Sequence, residues 1–302
     1  MLNSAQIMKN ALKAGVVVPA FNVPYLPMIK PIIQALADHD SFALIEVARL
    51  EFIKFESKSL AAVMAEFQTW NQPDYVRLHL DHVPVIDEDN LQVDYVAVVQ
   101  EAISLGYQSV MVDGSRLSLE DNIAATRRVA DLAHAAGIPC EAELGAVLGH
   151  EAGPLPPYDE LFASGRGFTD VEQARRFVQE TGCDWLSVAV GSIHGAISGA
   201  ARDQKKVEAR LNLEHLEKLH QATGGIPLVL HGGSGVKQEY VLAAFKKGIA
   251  KMNIGTEIRQ PYEQALRQTG DVEAARQAVY DRMGWVLTDY LGLAGTRQLV
   301  MG

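Results

Sequence analysis

A chain of 302 residues that is 48% hydrophobic and 21% charged has enough apolar material for a large core, which excludes a disordered polymer. Its formal net charge of -10 excludes a general attraction for nucleic acid or anionic membrane, so an anionic substrate must be held by a local site. Cys140 and Cys183 form no C-x-x-C pair; they read as buried free thiols, in keeping with a reducing compartment, and not as a zinc ribbon or redox pair.

Met1 to Gly15 reads as an amphipathic helix carrying Lys9 and Lys13, without the apolar segment of a signal peptide. No apolar run approaches the roughly 18 residues of a membrane span. The expectation is a cytoplasmic protein with neither membrane nor nucleic acid as partner. Eight short apolar runs follow, at 16–23, 42–48, 75–82, 108–114, 139–145, 184–191, 227–233 and 249–255. Most are near-continuous in Val, Ile, Leu and Ala, as in parallel strands covered on both faces. Helical patterns lie between them. Residues 91–105 carry apolar side chains at 91, 95, 98, 99 and 103, close to a 3.6 period, and 117–136 and 171–180 behave alike. Thr169-x-x-Glu172 predicts a capping box. The Gly- and Pro-rich stretch 150–167 predicts a long loop suited to a lid, with a surface excursion as the plain alternative. From about 270 to 302 the pattern is helical and Arg-rich, fit to pack on the barrel or on another subunit.

Strand–helix alternation repeated eight times predicts an α/β fold: a single (β/α)8 TIM barrel over 1–302, with a C-terminal helical extension. The rival doubly wound sheet is weakened by the absence of G-x-G-x-x-G after the first strand.

Polar residues interrupt the apolar runs at their C-terminal ends, which converge at one mouth in a barrel. His82, His194 and His231 end strands 3, 6 and 7. Three imidazoles with an open fourth position suit a divalent metal, zinc first. A lone His is more often structural, but three at three strand ends are not. His79 lies within strand 3 and His82 at its end, so His82 is preferred; His150, beside the lid stretch, is a minor candidate. Asp81 is placed for proton transfer beside a metal, or for orienting a histidine from behind. Asp113 and Glu143 read as outer groups around the metal, as alternative metal ligands, or as structural hydrogen-bonding residues. Gly232-Gly233-Ser234-Gly235 and Asn253 to Thr256 end neighbouring strands, where barrels hold phosphate on backbone N–H groups; a tight turn is the plainer reading of the glycines.

At these residues the chain resembles the class II, metal-dependent ketose-bisphosphate aldolases, a family that includes fructose- and tagatose-bisphosphate aldolases. The segments are VPAFNV (18–23), LHLDH (78–82), SVMVDGS (109–115), EAELG (141–145), VAVGSIHG (188–195), LVLHGGSG (228–235) and KMNIGTEI (251–258), in the family's order. The resemblance implies reversible cleavage of a ketose phosphate or bisphosphate to dihydroxyacetone phosphate and an aldehyde, without a Schiff-base lysine. It implies Zn2+ on His82, His194 and His231, with Asp113 and Glu143 at an alternative metal position and a monovalent cation as a further expectation. It makes Asp81 the proton donor at the C4 hydroxyl and Glu151 a mobile acid for proton transfer at C3. Gly195, Gly232, Gly233, Ser234, Asn253 and Thr256 match residues holding the dihydroxyacetone phosphate half; Asn22, Ile254 and Gly255, in the same segments, are expected to line the substrate. A homodimer or higher homo-oligomer is implied as well.

The departures fall on one side. After strand 2 the family often has Gln-x-Ser-x-Gly; here the stretch is Glu46-Val47-Ala48-Arg49-Leu50. Pro24-Tyr25 replaces an Asn-rich turn, and His-Gly-x-Tyr reads His194-Gly195-Ala196-Ile197. No match to the Arg that binds a second phosphate stands out. Arg49 is therefore expected as an anion contact, with a solvated surface Arg as the alternative. A keto-deoxy acid phosphate is the alternative substrate class, and a non-catalytic metal-binding barrel the remaining reading.

Overall fold

The computed structural model describes residues 2–145, 157–192, 208–233 and 235–302. Eight parallel strands close into a barrel in the order β1 to β8. They are β1 (Val18–Asn22), β2 (Ala43–Ala48), β3 (Val76–Asp81), β4 (Ser109–Val112), β5 (Cys140–Leu144), β6 (Trp185–Val188), β7 (Leu228–Leu230) and β8 (Ile249–Ile254). Each lies inside its apolar run, and nearly every strand residue is buried, because helices cover the outer face and side chains fill the inner one.

The helices are α1 (Ser4–Ala14), α2 (Ile29–Asp38), α3 (Arg49–Lys54), α4 (Leu60–Trp70), α5 (Tyr95–Leu105), α6 (Leu119–Ala135), α7 (Tyr158–Ser164), α8 (Val171–Thr181), α9 (Leu213–Ala222), α10 (Gln238–Phe245), α11 (Thr256–Thr269), α12 (Val272–Trp285) and α13 (Arg297–Met301). Local chemistry sets their ends. Asn3, Ser59, Asp94, Ser118 and Asn212 cap α1, α4, α5, α6 and α9 by accepting a backbone N–H in the first turn. Gly15 and Gly106 end α1 and α5 in left-handed conformations. α12 packs against α11 and α2, while α13 packs against α1.

The lower, N-terminal end of the barrel is stoppered. Ile7, Met8 and Ala11 of α1 join Val18, Ala20, Leu44, Trp185 and Val229 in one buried apolar cluster. Cys140 and Cys183 are buried free thiols. Among the described residues, no helix is long and apolar enough to cross a membrane.

Three local expectations are corrected. The helix expected from 91 begins at Tyr95, because Asp94 caps it and Gln92 bridges to Ile86; Leu91 is 63% exposed. The cap of α8 is Asp170, whose side chain accepts from Gln173 N at 2.8 Å. Thr169 instead ties β5 to the end of β6, donating to Leu144 O at 2.5 Å and accepting from Ala189 N at 2.8 Å. The stretch expected as a loop over 150–167 contains α7, whose Tyr158 hydroxyl bonds Gly191 O and Arg210 O. Residues 150–156 of that expected lid, including His150 and Glu151, lie outside the described residues.

Candidate active site at the barrel mouth

Side chains two apart on a strand share a face. His79 and Asp81, Glu141 and Glu143, and Lys251 and Asn253 therefore project into the barrel as pairs, one member above the other. The upper members meet at the mouth, joined by Asn22 from β1 and by His231, just past β7. Beneath them, Glu46, His79, Glu141 and Lys251 form an ionisable layer that is wholly buried.

β3 ends at Asp81, and His82 has φ +32°. That left-handed turn breaks the alternation, so two consecutive residues both reach the mouth. The His82 and His231 rings lie 4.4 Å apart at 62°. His82 Nδ1 is 3.4 Å from Asp113 Oδ2 and 3.9 Å from Glu143 Oε2, and His231 Nδ1 is 3.0 Å from Glu143 Oε2. Donor atoms of Asp81, His82 and His231 lie within 4.8 Å of one another, as do those of His82, Asp113 and Glu143.

These residues fit a divalent metal. Nitrogen and carboxylate donors of the types a divalent metal takes converge on one point, with Glu143 buried among them. The far nitrogen of His231, Nε2, is 2.9 Å from Glu141 Oε1, the backing by which ligating imidazoles are oriented. Negative charge is in excess. Burial draws the His82 pKa down, but Asp81 and Asp113 push it up to about 9. Burial and Asp113 raise Glu143.

Asp81 is 1% exposed and held at both oxygens: Asn22 Nδ2 donates to Oδ2 at 3.0 Å, and Asn253 Nδ2 to Oδ1 at 3.0 Å. Burial raises its pKa, yet the positive charges of His82 and Lys251 bring it below the usual carboxylate range. A fixed, ionised carboxylate beside a candidate metal site can accept a proton from a bound hydroxyl.

The β7 and β8 ends approach closely. A Cβ on Gly233 would lie 2.4 Å from Met252 Cε and 3.0 Å from Asn253 O. Gly255 precedes α11, whose first residue is Thr256, so that helix's N-terminal N–H groups open at this side of the mouth. Gly232, Gly233, Asn253, Ile254, Gly255 and Thr256 are thus brought together, beside Asn22. His194, Gly195 and Ser234 lie outside the described residues, as does Glu151.

Arg49 opens α3, its guanidinium 3.3 Å from Asp87 Oδ2 and its side chain 23% exposed. Ala48 offers no capping oxygen, so Glu51 alone reaches back, accepting from Ala48 N at 2.8 Å. Glu51 is 8% exposed, and burial pushes its pKa up to about 8 against the pull of Ala48 N–H and the Asn22 amide.

The reading from sequence passed over Glu51, Lys251 and the structural weight of Glu141. For the last two a signal existed: an ionisable residue two positions before a site residue, inside an apolar strand, shares its inward face.

The chain was compared with known proteins. The family model described as class II fructose-bisphosphate aldolase matches residues 2–294. Fructose-bisphosphate aldolases of Streptococcus pneumoniae and Streptococcus pyogenes are each 33% identical to the chain, covering 93% of it and 88% and 87% of themselves. Among solved structures, the YdjI aldolase of Escherichia coli K12 is similar with TM-score 0.76 and 28% identity, over 98% of this chain and all of that one. A putative fructose-1,6-bisphosphate aldolase of Coccidioides immitis is similar with TM-score 0.76 and 25% identity, over 98% of each chain.

Proposed function

The chain belongs to the class II fructose-bisphosphate aldolase family, and from that premise we propose that it is a metal-dependent aldol lyase, reversibly cleaving a ketose phosphate or bisphosphate to dihydroxyacetone phosphate and an aldehyde. The observation that carries this reading is the doubly clamped Asp81 beside the converging donors of His82, His231, Asp113 and Glu143. His82 and His231, with His194, would hold Zn2+, and Asp113 and Glu143 an alternative position of the ion. When bound, the cation supplies positive charge for the oxygen that turns anionic during cleavage.

In our reading this chain's own groups move the protons. Asp81 accepts the proton of the C4 hydroxyl. The electron pair left on the C4 oxygen forms the second bond of the aldehyde carbonyl, the C3–C4 bond breaks, and its electron pair stays on the three-carbon fragment. Protonated Glu151 gives a proton at C3, completing dihydroxyacetone phosphate, and exchange with water then returns Asp81 and Glu151 to their starting protonation. Condensation runs the same steps backwards. Gly232, Gly233 and Asn253 to Thr256, beside Asn22, hold the phosphate and the backbone of the three-carbon half, with Gly195 and Ser234 as further contacts. A monovalent cation would add to that anion site. Arg49 is proposed as an anion contact at the aldehyde end, although it must leave Asp87 to serve. We read it further as a cytoplasmic enzyme and a homodimer or higher homo-oligomer.

A panel of ketose mono- and bisphosphates, assayed for release of dihydroxyacetone phosphate with and without chelator, tests the proposal. Turnover that needs a divalent metal is expected. No turnover of any substrate, or turnover indifferent to chelation, would sink it.

A further inference from the structure

Lys251 takes no part in the steps above, yet it is a wholly buried cation one layer below the mouth. Its Nζ lies 2.7 Å from Asn253 Oδ1, 2.9 Å from Glu141 Oε2, 3.1 Å from Glu46 Oε2 and 3.9 Å from Asp81 Oδ1. An ammonium has three donors and accepts nothing. Apart from Asn253, the groups it faces are all carboxylates, and Glu141 links it onward to His79, at 3.3 Å, and to Trp185 Nε1.

The bond to Asn253 is the informative one. The two ends of a side-chain amide are nearly the same size, and its terminal torsion is soft, so hydrogen bonding decides which end points where. Here the oxygen is taken by Lys251, which turns the NH2 toward Asp81 Oδ1 at 3.0 Å. Without the ammonium, Glu46 and Glu141 below would attract the NH2, and the amide oxygen would face the Asp81 carboxylate and repel it. Asp81 would then keep only its contact with Asn22.

We propose that Lys251 is a positioning residue for Asp81, acting through the orientation of the Asn253 amide. It is wholly buried below the mouth; its charge also lies 3.9 Å from Asp81 Oδ1 and its bond to Glu141 leads to His231, so the cycle with Asn253 is what separates the amide route from these two. The proposal rests on the reading of Asp81 as the proton-transfer group.

The test is a double-mutant cycle with kcat and KM measured separately. Lys251→Met is expected to lose about 10- to 100-fold in kcat, part of what a positioned acid–base group contributes. Adding it to Asn253→Ala should cost nothing more. Lys251→Gln, which keeps an N–H donor for Asn253 Oδ1, should recover most of the loss. Wild-type kcat in Lys251→Met, multiplying losses in the double variant, or no recovery with Gln would overturn the proposal. Should Lys251→Met fail to fold, Lys251→Gln and Lys251→Met/Glu46→Gln, which leave fewer buried carboxylates opposed, carry the comparison. Crystal structures of these variants give a readout independent of turnover. The Asp81 carboxyl should be rotated out of its two-amide clamp in the Met variants and in place in the Gln variant; an unmoved Asp81 in the Met variants overturns the proposal. If the wild type cleaves no ketose phosphate, the aldolase reading falls, while the structures still decide the Asp81 orientation.

Discussion

The two ends of the barrel interior obey different rules. At the lower end, Val18, Ala20, Leu44, Trp185 and Val229 meet Ile7, Met8 and Ala11 of α1. At the upper end, Asn22, Asp81, Glu143, His231 and Asn253 meet across shorter, directional contacts. Apolar groups need only volume to be matched, and many combinations fill it. Buried ionisable groups need particular partners, and a missing one leaves a charge stranded. A defect below should therefore show as stability alone, and a defect above as activity, joined by a stability cost wherever a charge is stranded.

Five measurements break or sharpen that contrast. The largest effect is expected from removing divalent metal: turnover falls to background and returns on titrating in Zn2+, as read by dihydroxyacetone phosphate release. Next, Asp81→Asn should lower kcat by about 10²- to 10⁴-fold, while thermal melting shows the fold retained. At the opposite end, Ile7→Ala should cost about 2–5 kcal/mol in denaturant unfolding. Its kcat and KM should match the wild type; a fall in kcat there would mean that the two ends are mechanically coupled.

A pH series addresses Glu51. Its pKa is pushed up from 4.5 to about 8, so the folded protein favours the protonated acid. The stability linked to it is complete below the ordinary value and is lost as pH rises through about 8. Glu51→Gln cannot ionise, so its melting temperature relative to the wild type should climb between pH 5 and pH 9. A constant difference would mean that the acid is ionised throughout. The smallest effect is expected at Arg49, which is partly exposed and already paired with Asp87. Arg49→Ala should raise KM for a substrate anionic at the aldehyde end by a few-fold, about what a screened surface contact gives. An unchanged KM for every accepted substrate would assign Arg49 to the Asp87 pair alone.

Much of this was legible in the residues, for physical reasons that also mark where legibility stopped. Eight apolar runs matched eight strands because a strand buried on both faces must be apolar throughout. The same property hid the inward phase: hydrophobicity does not tell the face of Val229 from that of Leu228, and only charges spaced by two, as in Lys251-x-Asn253, reveal it. The ionisable layer went unread for that reason, although Glu46 stood out against the family pattern. Helix starts failed where two signals competed. Leu91 extends an apolar period that Asp94 interrupts with a cap, and Thr169 has a capping residue's chemistry while its hydroxyl serves two other strands' backbone. His82 was preferred over His79 for ending its strand, and the structure places His79 below, against Ser109 Oγ at 2.8 Å.

The left-handed backbone at His82 has a consequence for anyone improving this protein. A β-carbon in that region costs about 1–3 kcal/mol that glycine would not. A library screened for heat resistance without added metal would thus admit His82→Gly wherever that relief exceeds glycine's own entropy cost, and with it the loss of an imidazole at the mouth. If His82 holds the metal as proposed, any such selection has to score turnover in the same round, or its gains in stability come at the expense of the site.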